Sequence, residues 1–143
     1  MRQDIVTAAR GWIGTPYRHQ ATTRGAGCDC LGLLRGVWRE VQGPEPAQIP
    51  PYSMDWSEPD GDEALWRAAL AYLIPVSDLE PGDVVLFRMR DGCVAKHLGL
   101  VATVGPAPSF IHAYSGHGVV ESAMTLAWAR RIVARFRFPQ RRA

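Results

Sequence analysis

Cys30, His97 and His112 are the residues of this chain whose types and spacing combine into a chemistry. Cys30 lies in Gly27-Cys28-Asp29-Cys30-Leu31-Gly32-Leu33-Leu34, a polar, glycine-led approach that runs into an apolar helical stretch. That pattern predicts its thiol at a helix N-terminus, where unpaired backbone N–H groups and the positive end of the helix dipole make a thiolate cheapest to form. The thiolate is the reactive form, and a nucleophile still needs a base. His97, in Lys96-His97-Leu98-Gly99-Leu100-Val101, and His112, in Phe110-Ile111-His112-Ala113, fall in runs that read as adjacent strands. A thiol, an imidazole base and a second polar ring to orient that base point to a cysteine hydrolase.

Residues paired directly across an antiparallel hairpin are equidistant from the turn. The midpoint between His97 and His112 falls between Val104 and Gly105, at the start of the turn-like Gly105-Pro106-Ala107-Pro108. The two imidazoles are therefore expected as direct cross-strand neighbours on one face, with Leu98 and Ile111 on the other. A one-residue bulge breaks this registry.

Three helices are expected to precede the strands. Ile5, Ala8, Ala9 and Trp12 recur at helical spacing until Gly14-Thr15-Pro16. After a polar loop from Arg18 to Gly27, Cys30, Leu34, Trp38 and Val41 mark one face of a central helix stopped by Gly43-Pro44. Gly43 to Pro59 holds five prolines with Tyr52 and Trp56, and reads as an ordered surface loop with the character of a lid or docking surface. Asp60 and Glu63 have capping-box spacing ahead of a third helix through Ala64, Leu65, Ala68, Ala69, Tyr72 and Leu73. Trp12, Trp38 and Trp66 are expected in the core.

Strands are expected at Val84 to Phe87 after the turn Glu80-Pro81-Gly82-Asp83, then at 96–104, 109–114, 119–122 and 131–138. In the last, Ile132, Ala134, Phe136 and Phe138 alternate with Arg131, Val133, Arg135 and Arg137, giving one apolar and one basic face. Helices first and an antiparallel sheet second make the fold class α+β.

The 143 residues, 47% of them apolar, suit one domain spanning 1–143. A formal net charge of +2 does not argue for nucleic acid. The start of the chain has no long apolar region behind its charges and no later stretch approaches a membrane span, so a soluble product made in the cytoplasm without a leader is expected. Three cysteines fit reduced thiols better than a disulfide framework.

Asp29-Cys30 opening a helix, Pro81-Gly82-Asp83 before the first strand, His97-Leu98-Gly99 on a strand and His112 on the next follow one another in an order that resembles the NlpC/P60-type cell-wall peptidases, a branch of the papain-like fold. The resemblance covers nearly the whole chain. It implies hydrolysis of amide bonds in peptidoglycan stem peptides, with Cys30 as nucleophile, His97 as general base and His112 orienting it. It implies no cofactor. Tyr17 and Asp29 match family positions that contact the substrate's free amine. Gly14-Thr15-Pro16-Tyr17-Arg18-His19-Gln20, Gly27 to Leu33 and Ala95 to Gly99 look like the branch carried by phage tails and gene transfer particles. The resemblance therefore implies tail or baseplate proteins as partners and action at the cell wall. Many members have Ser after the nucleophile, where this chain has Leu31.

Bland readings stand beside these. Asp29 could be only an N-cap, Tyr17 only a loop anchor, Cys28 a core residue, and His19 and His117 solvated loop side chains. A different class of reading takes Cys28, Cys30, Cys93 and His97 as ligands of a structural zinc, against which the tight Cys28-Asp29-Cys30 spacing argues. Another keeps the fold without the chemistry, as a structural element of a tail tip binding partners through Tyr52, Trp56 and the arginine strand.

Overall fold

Asp29 sets the start of the central helix. Its backbone is extended and its carboxylate accepts the Gly32 N–H at 2.7 Å, satisfying one of the unpaired first-turn donors. The computed structural model describes residues 1–47 and 63–140. The elements in chain order are helix α1 (Gln3–Arg10), the short strands β1 (Thr22–Thr23) and β2 (Gly27–Cys28), helix α2 (Cys30–Val41), helix α3 (Ala64–Tyr72), strands β3 (Ile74–Pro75), β4 (Val84–Phe87), β5 (His97–Thr103), β6 (Ser109–Tyr114) and β7 (Gly118–Ala123), helix α4 (Leu126–Ala129) and strand β8 (Ile132–Arg137). The α+β expectation holds. One antiparallel sheet runs in the order β3-β8-β4-β5-β6-β7, with α1 and α2 against it.

All four β4 residues are buried, because both sheet faces are covered. Val84, Leu86, Leu98, Leu100, Ile111 and Phe136 share a core with Ile5, Trp12, Leu33 and Val37 of the helical layer. Val85, Phe87, Val101 and Phe110 form a second cluster on the opposite face under Met89, Met124, Trp128 and Ile132. A Cβ at Gly36 would run into the Trp12 ring, so that glycine lets α2 lie close to the end of α1. The buried α2 side chains include Leu31, Leu33, Val37 and Val41, while Cys30, Leu34 and Trp38 are half-buried. The buried stripe is thus rotated from the expected one, which turns Cys30 toward the rim of the core. Trp66 likewise packs on the core rim rather than inside it.

Pro81-Gly82-Asp83 ties three segments together. Gly82 has φ of +95° and donates its N–H to the Val101 carbonyl. Buried Asp83 accepts two 2.9 Å bonds from Arg137, which removes Arg137 from the expected basic face. A bulge in β8 opposite Leu86 and Phe87 breaks the expected alternation further: Ala134 and Phe136 face the helices, while Ile132 lies with the second cluster.

The expected direct pairing of His97 with His112 does not occur. The ladder pairs Leu100 with Ile111 and Val101 with Phe110, and a bulge follows before Thr103 meets Ser109. Extending that register sets His97 level with Tyr114, two residues from the expected partner. The turn centres on Pro106 rather than ahead of Gly105, which moves the whole register. A shift of two residues preserves the face, so the imidazoles remain neighbours on a diagonal.

Glu63 precedes α3 but makes no side-chain cap. Its carboxylate instead accepts the Ala95 N–H at 2.7 Å and pairs with Arg88 at 2.9 Å, bracing the segment that leads into His97. Asp60, Tyr52, Trp56 and most of the proline-rich stretch lie outside the described residues. Among the described residues no helix is long and apolar enough to cross a membrane.

Candidate active site

Cys30 is the first residue of α2, and its half-buried thiol meets the segment entering β5. The thiol donates to the Lys96 carbonyl, with an Sγ···O distance of 3.8 Å. Burial, followed by the Asp29 carboxylate, pushes the Cys30 thiol up to about 12, against the opposing pull of the Leu98, Leu31 and Cys30 N–H groups. Helix position alone therefore does not make the resting residue a thiolate. The desolvation penalty and the neighbouring negative charge outweigh the first-turn donors.

His97 Nε2 lies 2.9 Å from His112 Nδ1. That contact commits one nitrogen of His97 and leaves Nδ1 as its other proton-carrying or proton-accepting position. Among the described residues no hydrogen bond joins the Cys30 thiol to His97. The orienting half of the trio is closed and the thiol–imidazole half is open, as is common before substrate tightens such a contact. Burial, followed by the nearby His112, lowers His97 to about 3. Burial, followed by the nearby His117, lowers His112 to about 4. Both rings are neutral at ordinary pH.

The cause of that burial is an aromatic cover over the second cluster. Trp128, on the single-turn α4, has its ring centroid 5.9 Å from that of His97 and 5.1 Å from that of His112. Phe87 and Tyr114 flank His97, and the Phe110 ring lies tilted against His112 with centroids 4.3 Å apart. Thr125 caps α4 through the Trp128 N–H. Trp128, Tyr114 and Ser122, which contacts His112, were not singled out in the sequence. The Thr125 cap before an aromatic was the available signal for α4, and the strand expected at 119–122 was the signal for Ser122.

Asp29 and Tyr17 are brought to the same rim. Asp29 is 3% exposed, and besides capping α2 it accepts the Gln20 N–H at 2.7 Å. The geometry thus shows its capping role directly. His19, expected in solvent, is half-buried with Nδ1 3.7 Å from the Asp29 carboxylate. Tyr17 forms a bridge to Cys28, and burial, followed by the neighbouring Cys30, Asp29 and Cys28 groups, raises its hydroxyl to about 12. His117 is exposed and stacks on Tyr114 at 5.1 Å. Cys28 is fully buried in the core and no disulfide joins it to Cys30. Among the described residues no group of three or more His, Cys, Asp or Glu side chains is gathered as a metal site, so Cys28, Cys30, Cys93 and His97 do not form one.

Comparison with known proteins places this arrangement. The family model described as the NlpC/P60 family matches residues 14–137, from the loop before Tyr17 to the end of β8. The chain belongs to that family. It is 30% identical over 115 residues to the probable endopeptidase NlpC of Escherichia coli, a match covering 80% of this chain and 63% of that protein. Solved structures with the same fold include the NlpC/P60 domain of the peptidoglycan hydrolase SagA (TM-score 0.63, 21% identity, 95% of this chain and 97% of that one). An NLP/P60 lipoprotein-like protein of Staphylococcus aureus gives a TM-score of 0.64 at 17% identity over 96% of this chain and 41% of its own. An NlpC/P60 family protein of Bacillus cereus gives 0.64 at 19%, covering 96% and 40%. These NlpC/P60 neighbours confirm the α+β, papain-like fold.

Proposed function

We propose that this NlpC/P60 chain, acting as one domain over residues 1–143, is a cysteine endopeptidase that hydrolyses amide bonds in peptidoglycan stem peptides. The observation that carries the reading is the placement of Cys30, at the capped N-terminus of α2, against the Lys96–Leu98 backbone, with the His97 ring held by His112. Family membership and the names of the Escherichia coli and SagA relatives support the substrate class.

With substrate bound, His97 Nδ1 takes the Cys30 proton as the thiol attacks the scissile carbonyl, so the raised thiol and lowered imidazole exchange a proton only as the C–S bond forms. The N–H of Cys30, a first-turn group without an intrahelical partner, is placed to hold the oxyanion. The proton then passes from His97 to the leaving amine. A water, deprotonated by His97, then attacks the thioester, and the C–S bond breaks to release the acid product as His97 returns the proton to the Cys30 sulfur. Tyr17 and Asp29 are assigned to the substrate's free amine.

The likeness of residues 14–20, 27–33 and 95–99 to tail-borne members supports work within a phage-like or gene-transfer tail, beside tail or baseplate proteins, opening the wall during DNA delivery. Mass spectrometry of purified particles tests that placement.

The chemistry is tested by acid-quenching the protein during turnover of a stem peptide and mapping adducts. An acyl group on the Cys30 peptide alone is expected. Product release with no acyl adduct, under conditions where deacylation is slowed, would contradict covalent catalysis.

A further inference from the structure

The hydrogen-bonded line that begins at His97 does not stop at His112. His112 Nε2 lies 2.9 Å from Ser122 Oγ on β7. The direct partner of His112 across β6–β7 is Val120, so Ser122 sits two residues further along, on the same face and opposite Phe110. His97 to His112 and His112 to Ser122 are thus two diagonal steps across three strands. Such a slanted line is what sheet twist brings together. His112 is fully buried, with Phe110 and Trp128 against its ring, whereas Ser122 is half-buried.

Donor counting orients this line. When His97 holds a second proton during the reaction, both of its ring nitrogens are donors. Its Nε2–H must then find an acceptor on His112 Nδ1, which requires His112 to carry its own proton on Nε2. That buried Nε2–H in turn needs an acceptor, and the one facing it is Ser122 Oγ. In the reverse orientation, with Ser122 donating, His112 Nδ1–H would oppose His97 Nε2–H across 2.9 Å in the charged state. It would also leave the resting His97 protonated on Nδ1, where it could not accept the thiol proton.

We propose that Ser122 is a positioning residue of the site: its hydroxyl accepts from His112 Nε2–H and so holds His97 in the tautomer that is bare on Nδ1. The proposal rests on the peptidase reading for its kinetic consequence, but its structural content is independent of substrate. Ser122 touches neither thiol nor substrate. Its effect reaches the chemistry only through His112, in the way an outer partner fixes a histidine tautomer elsewhere.

The experiment is nitrogen-15 NMR of the imidazoles in the full chain, paired with stem-peptide kinetics for wild type, Ser122→Ala and Ser122→Thr. Wild type is expected to show His112 with a pyrrole-type Nε2 and a pyridine-type Nδ1, and His97 with a pyridine-type Nδ1. Ser122→Ala should mix the His112 tautomers and lower kcat roughly tenfold with KM unchanged, and Ser122→Thr should restore both. A wild-type His112 protonated on Nδ1, or a folded Ser122→Ala with unaltered tautomers and kcat, would overturn the assignment. If Ser122→Ala does not fold, Ser122→Asp replaces it. A stronger acceptor there should raise the His112 titration midpoint, and an unmoved midpoint contradicts the contact. Wild-type protein with the expected tautomers but no hydrolysis would support the Ser122 assignment and count against the peptidase reading.

Discussion

His97 Nε2 and His112 Nδ1 approach to 2.9 Å although the two residues are not paired across the β5–β6 ladder. The contact is diagonal, and it survives because a register shift of two leaves both side chains on the Trp128-covered face. What the site requires at position 112 is therefore an acceptor toward His97 and a donor toward Ser122.

Asparagine meets both requirements, with Oδ1 accepting and Nδ2 donating. His112→Asn is expected to keep kcat within about tenfold of wild type, whereas His112→Leu should lose about a hundredfold or more, and His97→Ala more still. His112→Ala should also lose roughly 2–4 kcal/mol of stability, because it empties a fully buried site. Steady-state kinetics and denaturant titration of the four variants check this. Equal activity in the Asn and Leu variants would contradict an orienting hydrogen bond.

The protonation states make a pH prediction. With Cys30 raised to about 12 and His97 lowered to about 3, the resting pair is neutral across the physiological range. Iodoacetamide should label Cys30 slowly at neutral pH and faster as the pH climbs well above 9, with no acid-side thiolate plateau. Rapid labelling at pH 6 would show a preformed thiolate–imidazolium pair instead.

The same histidines link stability to pH. Each has a folded value below the unfolded one of about 6.5, so the unfolded chain binds protons more readily. Their contribution is fully present above about pH 6.5 and is lost as pH falls toward 4 and then 3. Thermal melts between pH 7 and 4 should show a falling Tm, and replacing His112 with Asn should flatten that fall. An identical pH slope in the two proteins would contradict burial of a neutral His112.

Much of this arrangement was legible in the sequence because it rests on local signals. Asp29-Cys30 before an apolar helical run, Pro81-Gly82-Asp83 before a hydrophobic tetrad, and two histidines in strand patterns specify α2, β4, β5 and β6 with nearly the observed bounds. The exact register was not legible, since it depends on where a five-residue turn centres and on a bulge after Val101, neither of which alters composition. Nor was the upward push on Cys30: a helix N-terminus is visible in sequence, while the burial that outweighs it is a tertiary property. The two-residue strands and the single-turn α4 are too short to show a period, so Trp128 could not be placed over the histidines.

Asp29 separates two roles by chemistry. Asp29→Ala should destabilise the fold by about 1–2 kcal/mol through loss of the α2 cap, whereas Asp29→Asn keeps an oxygen for Gly32 and gives up the bond that the other oxygen accepts from the Gln20 N–H, at about 1 kcal/mol. If Asp29 also meets the substrate's amine, the Asn variant should raise KM several-fold with the α2 cap retained. Unchanged KM in a stable Asn variant would leave Asp29 as a cap alone.

Arg137 and Arg135 are expected to differ although they sit on one strand. Arg137→Ala leaves the Asp83 carboxylate, 2% exposed, without its bidentate partner and should cost roughly 2 kcal/mol, discounted for the exposed arginine end. Arg135 is exposed, and Arg135→Ala should leave stability within about 0.5 kcal/mol while weakening retention on anionic wall polymer at low salt. Denaturant titration and a salt series on immobilised polymer check the pair. Equal stability losses would contradict the structural role of the Asp83–Arg137 contact.

The central claim, that Cys30 and His97 cleave a stem-peptide amide, is tested most directly by incubating wild type and Cys30→Ala with purified peptidoglycan and analysing released muropeptides by mass spectrometry. New fragments from wild type alone, with the Cys30→Ala protein equally folded, are the expected result, and their masses name the bond. Fragments released equally by both proteins would contradict a Cys30 nucleophile. Release by neither would contradict the peptidase reading of the isolated chain and favour a structural part in a tail.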